Sequence, residues 1–463
     1  MRGAGALRSP LLAAAMLALL VAVLTFRFTG SEVARIGSWA AAASVIGVAA
    51  PAFGLREAWL AGVSALLTAA LVQGYPAPLS VLAGAADQAA FLMAFIFLLT
   101  MVQEAARTSR DIAAFGAYLT RQPPGRRYAS LFWGTNLMGV LFNLGAVNLL
   151  TPLVRKGLDA RDLSPEVRAI SEGRQISAIL RGFAWNVIWS PTALAGLALL
   201  ELIEGIDRRL WTGWGLAVTA VMFVAGLTED RLIARRRLGR PSVVVAGPPF
   251  PRAACLGFLT VVAALFLGVW GVVALSGETI VAGLMLTCPA LMAGWLFAQA
   301  RGAPGPAVAA ARDLVIARLP MIAPVAATLA FSGFLGRVAA ALTPAADLAM
   351  GVGLYEAPDL ALLSLLPLLL AALSFLGVSP IMLAVFFGSL FGALPEPPAG
   401  PTLIALSLSI GWSLAMLLSP YATVVMILAQ QTGERGLFVA AGRNGLYALL
   451  CAALLWPVFA VLL

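Results

Sequence analysis

Long apolar runs recur along almost the whole chain, and they constrain its fold more than any other feature. A membrane-spanning helix needs about 20 consecutive apolar residues. The candidate runs are 10–26, 36–53, 58–74, 88–105, 129–154, 176–203, 210–227, 253–275, 279–299, 320–341, 361–395, 401–431 and 437–463. With 61% hydrophobic and 11% charged residues, no class of soluble globular protein fits. We expect an all-α polytopic protein that is integral to the membrane.

The charge balance and the missing residue types exclude several classes of function. A net charge of +9 would suggest nucleic acid in a soluble protein, but cytoplasmic loops of membrane proteins carry such an excess. We therefore expect membrane lipid and no nucleic acid as a partner. The chain has no His, and its three Cys are far apart in apolar runs. With no metal spacing and no central pair of carboxylates, we do not expect an enzyme or a bound cofactor.

The run 129–154 lies between two basic loops, 106–128 and 155–175, each with five Lys or Arg residues. Both loops are expected to be cytoplasmic. A single crossing between them would place one loop outside and would export the basic cluster at 231–240. We therefore predict a re-entrant hairpin that turns near 143–145. Non-helical backbone at that depth is tolerated only inside protein or against a water-filled cavity.

The run 361–395 is too long for one ordinary span and has no Lys or Arg nearer than Arg337. It predicts a second hairpin, open to the outside and turning near 376–380. With two hairpins the count is eleven spanning helices, the N-terminus in the cytoplasm and the C-terminus outside. All but five of the 30 Lys and Arg residues then lie at the cytoplasmic side. The exceptions are Arg27, Arg35, Arg208, Arg209 and Arg337.

Two segments in the predicted spans contain a Ser-Pro pair and align without gaps. GFAWNVIWSPTA at 182–193 matches GWSLAMLLSPYA at 411–422 in four of its positions. Proline removes a backbone donor and clashes with the preceding turn, so it breaks or kinks a helix. Each segment follows one of the predicted hairpins. We therefore predict a broken helix in 176–203 and another in 401–431.

These pairs of hairpin and broken helix divide the chain into repeats. We predict a leading transmembrane helix at 1–35, a first repeat at 36–227, a cytoplasmic linker at 228–252 and a second repeat at 253–463. The first helix of the first repeat runs inward and that of the second runs outward, so the repeats are inverted. Inverted repeats with paired broken helices are typical of secondary transporters, with the site at the repeat interface.

In this architecture the chain resembles the ion transporter superfamily, and within it the divalent anion/sodium symporters. That family has one leading helix and two inverted units, each with a hairpin and a broken helix. The resemblance implies homodimers in which the part that carries the hairpins slides as an elevator against a fixed scaffold. Relatives that resemble arsenite efflux proteins or sodium/proton antiporters remain open. The segments 106–120 and 342–358 would be the arms that join scaffold and moving part.

Broken helices expose backbone groups that suit ions. Half-helix N-termini attract anions, whereas unwound carbonyls suit Na⁺. The predicted substrate-binding residues are Asn143, Gly145, Asn148, Asn186, Thr192, Gly377, Ser379, Pro380 and Thr423. The predicted Na⁺-binding residues are Asn143, Ser190, Pro191, Ser379, Ser419 and Pro420. Each cation site would lie between one hairpin tip and one Ser-Pro turn, with the substrate between the two.

The function predicted from these patterns is secondary transport of a small anion, a carboxylate, across a bacterial inner membrane, coupled to Na⁺ or H⁺. The alternative is an efflux pump or a cation/proton antiporter of the same superfamily. Carboxylates in the spans fall near span ends, which favours neutral ligands. Arg181 and Arg443 lie near the predicted cytoplasmic edge. They either snorkel to it or hold an anionic group.

Overall fold

Helices make up almost all of the computed structural model. The structure describes residues 2–238, 247–344, 347, 350, 351, 353, 354, 356–394 and 397–463. No β-strand occurs in those residues. The predicted fold class, an all-α polytopic membrane protein, is confirmed.

The first half of the chain contains ten helices in the described ranges. They are α1 (Arg2–Thr29), α2 (Glu32–Ala49), α3 (Leu55–Gly74), α4 (Pro78–Arg107), α5 (Arg110–Thr120), α6 (Pro124–Phe142), α7 (Leu144–Asp159), α8 (Pro165–Asn186), α9 (Leu194–Leu202) and α10 (Arg208–Leu238). A 3₁₀ turn, Ala50–Ala52, extends α2.

The second half follows the same pattern. Its helices are α11 (Arg252–Ser276), α12 (Ile280–Gln299), α13 (Pro304–Asp313), α14 (Ala323–Leu342), α15 (Asp359–Phe375), α16 (Pro380–Gly392), α17 (Pro401–Leu418), α18 (Thr423–Thr432) and α19 (Arg443–Leu462). A π segment (Leu314–Arg318) and a 3₁₀ turn (Leu319–Ile322) join α13 to α14. A second π segment, Phe438–Gly442, precedes α19.

Ten segments within the described residues are long and apolar enough to cross a membrane. The pair α8 and α9 is not among them, because the first half of α8 is polar and the helix stops at Asn186. With this broken helix added, the number of spans equals the predicted eleven.

The irregular positions lie where the sequence predicts them. Helices α6 and α7 form the first hairpin, with Asn143 alone between them. Helices α15 and α16 form the second, with 376–379 as its turn. The first broken helix, α8–α9, is open over 187–193, and the second, α17–α18, is open over 419–422.

The chain divides into two compact units, and both take sequence from each predicted repeat. Unit 1 consists of Met1–Ser109 and Leu259–Pro344, and unit 2 of Arg110–Phe258 and Ala345–Leu463. Two of the division points fall in the predicted arms, 106–120 and 342–358. Part of the second arm lies outside the described residues.

Unit 1 is a bundle of long helices held by apolar packing and a few polar contacts. Helix α4 packs along α14, and Leu71, Ala85 and Val338 form a fully buried cluster there. The Asp87 carboxylate accepts hydrogen bonds from Arg35, whose Nη2 lies 2.7 Å away, and from Trp39 Nε1 at 2.8 Å. The charged residues near these helix ends are thus paired with each other.

Unit 2 contains both hairpins and both broken helices, so every predicted site residue belongs to it. Helix α6 packs along α8, and α15 packs along α17. Each hairpin therefore lies against the broken helix that follows it in sequence.

Helix α10 continues to Leu238, eleven residues into the segment predicted as a linker. Glu229 and Asp230 are buried there and pair with Arg181 and Arg174 of α8. These ion pairs tie the charged end of α10 to α8, which explains why the helix does not stop at the apolar boundary. The linker residues 239–246 lie outside the described residues.

Candidate functional site

The first broken helix approaches the first hairpin at backbone distance. A Cβ atom at Gly182 would overlap the Phe132 carbonyl of α6. The Gly182 carbonyl in turn accepts a hydrogen bond from Asn136 Nδ2 at 3.0 Å. Only a residue without a side chain allows this approach, so Gly182 fixes α8 against the hairpin arm.

Two buried asparagines hold the start of the first break. Asn186 Nδ2 donates to the Asn136 carbonyl at 2.7 Å, and Trp189 Nε1 donates to Asn136 Oδ1 at 3.1 Å. Asn136 is fully buried and Asn186 is 3% exposed. Buried amides are costly unless they are hydrogen-bonded. Here they bind a broken helix to a hairpin arm.

The Ser-Pro turn of the first break lies against the end of α6. The hydroxyls of Ser190 and Thr192 are 3.0 Å apart, and Thr192 Oγ1 donates to the Val140 carbonyl at 2.6 Å. Val140 precedes the hairpin tip by three residues. Ser190 and Thr192 are buried, and Pro191 is half-buried. The structure thus places the first break next to the first tip.

The first tip is a one-residue turn in an unusual backbone conformation. Asn143 has φ 45° and ψ −125°, a region that side chains rarely allow. Its side chain and Gly145 are half-buried. Asn148 is exposed on α7, where its Oδ1 accepts a hydrogen bond from Gln431 Nε2 of α18 at 2.8 Å.

The second half repeats this arrangement with different side chains. Ser419 Oγ donates to the Ser374 carbonyl of α15 at 2.7 Å and accepts from the Tyr421 amide at 3.3 Å. A Cβ atom at Gly411 would lie 2.9 Å from Leu370 Cβ. As in the first half, a glycine gives the close approach and a hydroxyl joins the break to its hairpin.

The second tip is wider than the first. Gly377 has φ 105°, Ser379 is the N-cap of α16, and Pro380 is its first residue. Gly377 is exposed, and Ser379 and Pro380 are half-buried, as are Pro420 and Thr423 at the second break. A positive φ is easily adopted by glycine, which explains this residue at the turn.

The two halves of unit 2 meet in a self-symmetric way. In the gapless alignment Ala184 corresponds to Ser413, and Ser413 Oγ donates to the Ala184 carbonyl at 2.8 Å. A contact between equivalent residues lies at a pseudo-two-fold axis. The second arm of each hairpin also contacts the distal half of the other broken helix, α7 with α18 and α16 with α9. The repeat predicted from sequence is therefore present in the contacts.

Four half-helices begin at the tips and the breaks. The N-termini of α7, α9, α16 and α18 have no side-chain cap hydrogen bond. Uncapped N–H groups and the helix dipole attract negative charge. Among the described residues no three His, Cys, Asp or Glu side chains group as metal ligands. The four N-termini thus provide a local environment that favours negative charge.

Several residues of this region were not among the predicted ligands. Asn136 joins the hairpin to the break, and Gln431 joins α18 to α7, where its carbonyl also accepts from Arg155. The predicted ligands Asn186, Thr192 and Ser419 are occupied in contacts between helices. These contacts do not test ion binding, and the ligand assignments remain predictions.

No family model and no curated protein sequence matches the chain. Among solved structures, the fold is similar to the YdaH transporter of Alcanivorax borkumensis, with a TM-score of 0.55, 16% identity, and coverage of 88% of this chain and 96% of that chain. It is also similar to MtrF of Neisseria gonorrhoeae, described as illuminating a class of antimetabolite efflux pumps, with a TM-score of 0.51, 13% identity and 80% coverage of each chain. At these identities the likeness concerns the fold. Neither structure is described as a divalent anion/sodium symporter, so that narrower resemblance remains a prediction.

Proposed function

We propose that the chain is a secondary active transporter that moves a small carboxylate anion across a bacterial inner membrane, coupled to Na⁺ or H⁺. The observation that carries this proposal is the pairing of each hairpin with a broken helix inside one unit of internal two-fold symmetry. Inverted repeats with broken helices are the architecture in which transporters build a central site. The fold likeness to two transporters supports the same conclusion.

The four uncapped half-helix N-termini are the proposed binding groups for the anion. Each provides N–H donors and the positive end of a dipole, so a carboxylate is stabilised without a buried basic side chain. Asn143, Thr192 and Ser379 lie at or beside these ends. They are proposed to fix the orientation of the substrate.

The coupling cation is proposed to bind between a tip and a Ser-Pro turn. Hydroxyl and carbonyl oxygens of the first break and of the second, around Ser190 and Ser419, are suitable ligands for Na⁺. Symmetry supports two equivalent positions. Protonation of a carboxylate elsewhere in unit 2 is the other way to couple transport.

An elevator mechanism is the proposed mode of alternating access. Both hairpins and both broken helices belong to unit 2, and unit 1 has none of them. All proposed ligands would therefore move together with the substrate. A homodimer through the scaffold part is proposed from the resemblance to divalent anion/sodium symporters.

The proposal is tested by thermal unfolding of the purified protein in NaCl, KCl and choline chloride, with acetate, succinate or citrate added as salts of the same cation. We expect stabilisation that depends on one of the anions and is enhanced by Na⁺ or by lower pH. Ser190→Ala and Ser419→Ala should reduce the Na⁺ dependence. Ser44→Ala is the matched control, because Ser44 is exposed and bonds only its own helix at Ala40. Stabilisation by cations alone would favour an antiporter instead.

Export is the second candidate function, and the fold likeness to MtrF favours it. Flux in proteoliposomes separates the two directions. With an imposed gradient of the coupling ion, an importer accumulates the stabilising anion on one side of an oriented membrane, and an efflux pump accumulates it on the other.

A further inference from the structure

Away from the tips and breaks, unit 2 contains a charged cavity of about 390 Å³. We call it the arginine cavity. Its charged lining residues are Arg174, Arg181, Arg237, Arg443, Glu229, Asp230 and Glu434. Phe438 and Gly442 at its rim are exposed, so it reaches the surface of the unit. Ligand sites of small molecules commonly have volumes of about 300–1,000 Å³, so the space suits a small organic anion.

Arg181 is the most deeply buried charge of this cavity. Its side chain is 3% exposed, and its Nη1 lies 2.5 Å from Glu229 Oε2, whose side chain is 4% exposed. Asn444 Oδ1 accepts from Arg181 Nε at 2.9 Å, and the guanidinium lies 4.0 Å from the centre of the Tyr447 ring. Snorkelling, one of the two predicted roles of Arg181, is therefore wrong.

The contacts fix Arg181 more firmly than Glu229. The arginine is held by an amide and an aromatic face besides its carboxylate partner. Asn444, which orients it, also donates to the Val439 carbonyl at 2.8 Å, within the π segment at the cavity rim. Segments of π-helix occur frequently at functional sites. A buried ion pair is weak evidence for stability as such, so a role in binding is the better explanation.

The other ion pairs balance most of the remaining charge. Arg174 forms a two-pronged pair with Asp230, at 2.8 and 2.7 Å. Arg443 Nη2 lies 2.5 Å from Glu434 Oε1. The four arginines exceed the three carboxylates by one positive charge. An entering anion meets a positive cavity, and Arg181 can hold it only if Glu229 gives way.

We propose that the arginine cavity binds a small carboxylate that displaces Glu229 from Arg181, and that Glu229 takes up one proton as it is displaced. The proton comes from hydronium in the solution that fills the cavity. One O–H bond of hydronium breaks as the O–H bond of the Glu229 carboxyl group forms, and a water molecule is left. Charge is conserved at the pair, since one carboxylate replaces another beside the guanidinium. The arginine cavity is thus a second carboxylate site, apart from the one proposed at the tips and breaks. Its role in coupling rests on the proposed transport function, for which it assigns H⁺ as the coupling ion.

The groups around Glu229 allow this exchange. Arg181 lies beside it from α8, Tyr128 from α6 and Cys451 from α19. Its neighbour Asp230 is neutralised by Arg174. Helix α17, which also packs against α10, has no titratable side chain. Of the other arginines that line the cavity, Arg174 and Arg443 are paired with Asp230 and Glu434, and Arg237 lies eight residues further along α10. A buried carboxylate that leaves Arg181 without a new partner is uncompensated, so we propose protonation as the response to displacement.

The test uses the full-length protein in detergent, in K⁺ without Na⁺. Potassium acetate and potassium succinate are titrated against matched KCl, with thermal unfolding and proton uptake from weakly buffered solution as readouts. We expect anion-specific stabilisation and about one proton taken up per bound anion in the wild type. Glu229→Gln should bind with equal or higher affinity and take up no proton. Ser177→Leu, which fills the cavity from α8 and leaves both members of the pair in place, should weaken binding at least tenfold.

Glu166→Gln on the exposed start of the same helix is the matched control and should behave as the wild type. A wild type without carboxylate-specific stabilisation overturns the proposal, as does equal proton uptake in Glu229→Gln. Because both readouts are taken without a membrane gradient, they are independent of transport. Loss of flux in proteoliposomes with normal proton uptake would contradict the proposed function and leave this site intact.

Discussion

Thr192 joins the first break to the first hairpin through one hydroxyl. Thr192→Val keeps the shape of the side chain and removes the hydrogen bonds to Val140 and Ser190. A buried hydrogen bond of this kind contributes about 0.5 to 2 kcal/mol. We expect a lower melting temperature for the valine variant in detergent. Thr228→Val is the control, because Thr228 is exposed and bonds only its own helix, and an equal loss there would contradict a special role for Thr192.

A substitution at Asn143 can distinguish a role in the backbone turn from a role as a ligand. Its φ of 45° costs a non-glycine residue about 1 to 3 kcal/mol. Asn143→Gly removes that strain together with the amide. If the amide is a ligand, we expect a protein that is at least as stable as the wild type but has lost Na⁺- or anion-dependent stabilisation. A glycine variant with normal ligand dependence would show that Asn143 serves only the turn.

The polar residues of the site were only partly predictable from sequence. Ser190 and Ser419 stand out because each precedes a proline in an apolar run. Asn136 has no such marker, and its importance follows only from its position opposite Asn186 in space. Glu229 and Asp230 resemble loop residues in the sequence, since only the contacts with α8 show that they are buried.

Among the helices, the site depends on the close approach of α8 to α6. Gly182→Ala would place a methyl group onto the Phe132 carbonyl, so α6 and α8 must separate. Overpacking of this kind costs about 1 to 3 kcal/mol, and we expect a clear fall in the melting temperature. Gly213→Ala on α10 is the matched control, because a methyl group there would meet no neighbouring atom within 4 Å, and alanine favours a helix by about 1 kcal/mol there. Equal effects at both positions would contradict the packing argument.

The hairpins and the broken helices were predictable from sequence because their segments do not fit a single uninterrupted membrane-spanning helix. A run with basic loops on both sides cannot cross once. Proline within a span removes a backbone donor and clashes with the preceding turn, so Pro191 and Pro420 favour a break. The extent of α10 was not predictable in the same way. Charged residues usually end an apolar span, and here α10 continues because its charges find partners on α8.

In the whole molecule, the two predicted sequence repeats do not coincide with the two compact units. Each repeat contributes to both units, so duplication of one unit alone cannot explain the fold. The hydrogen bond from Ser413 to the equivalent Ala184 shows the two copies meeting inside unit 2. This meeting point is where an inverted duplication brings two broken helices together.

The number of spans determines where the two ends of the chain lie. A re-entrant hairpin adds no crossing. The ten apolar spans of the described residues, one of which is the second broken helix, therefore make an odd number together with the first broken helix. We expect green fluorescent protein to fluoresce when it is fused to the N-terminus and to be dark when it is fused after Leu463. Alkaline phosphatase fused after Leu463 should be active. The control is fusion after Gly247, in the predicted cytoplasmic linker, where fluorescence should return. A fluorescent C-terminal fusion would mean an even count, so that α8–α9 does not cross or one of the hairpins does.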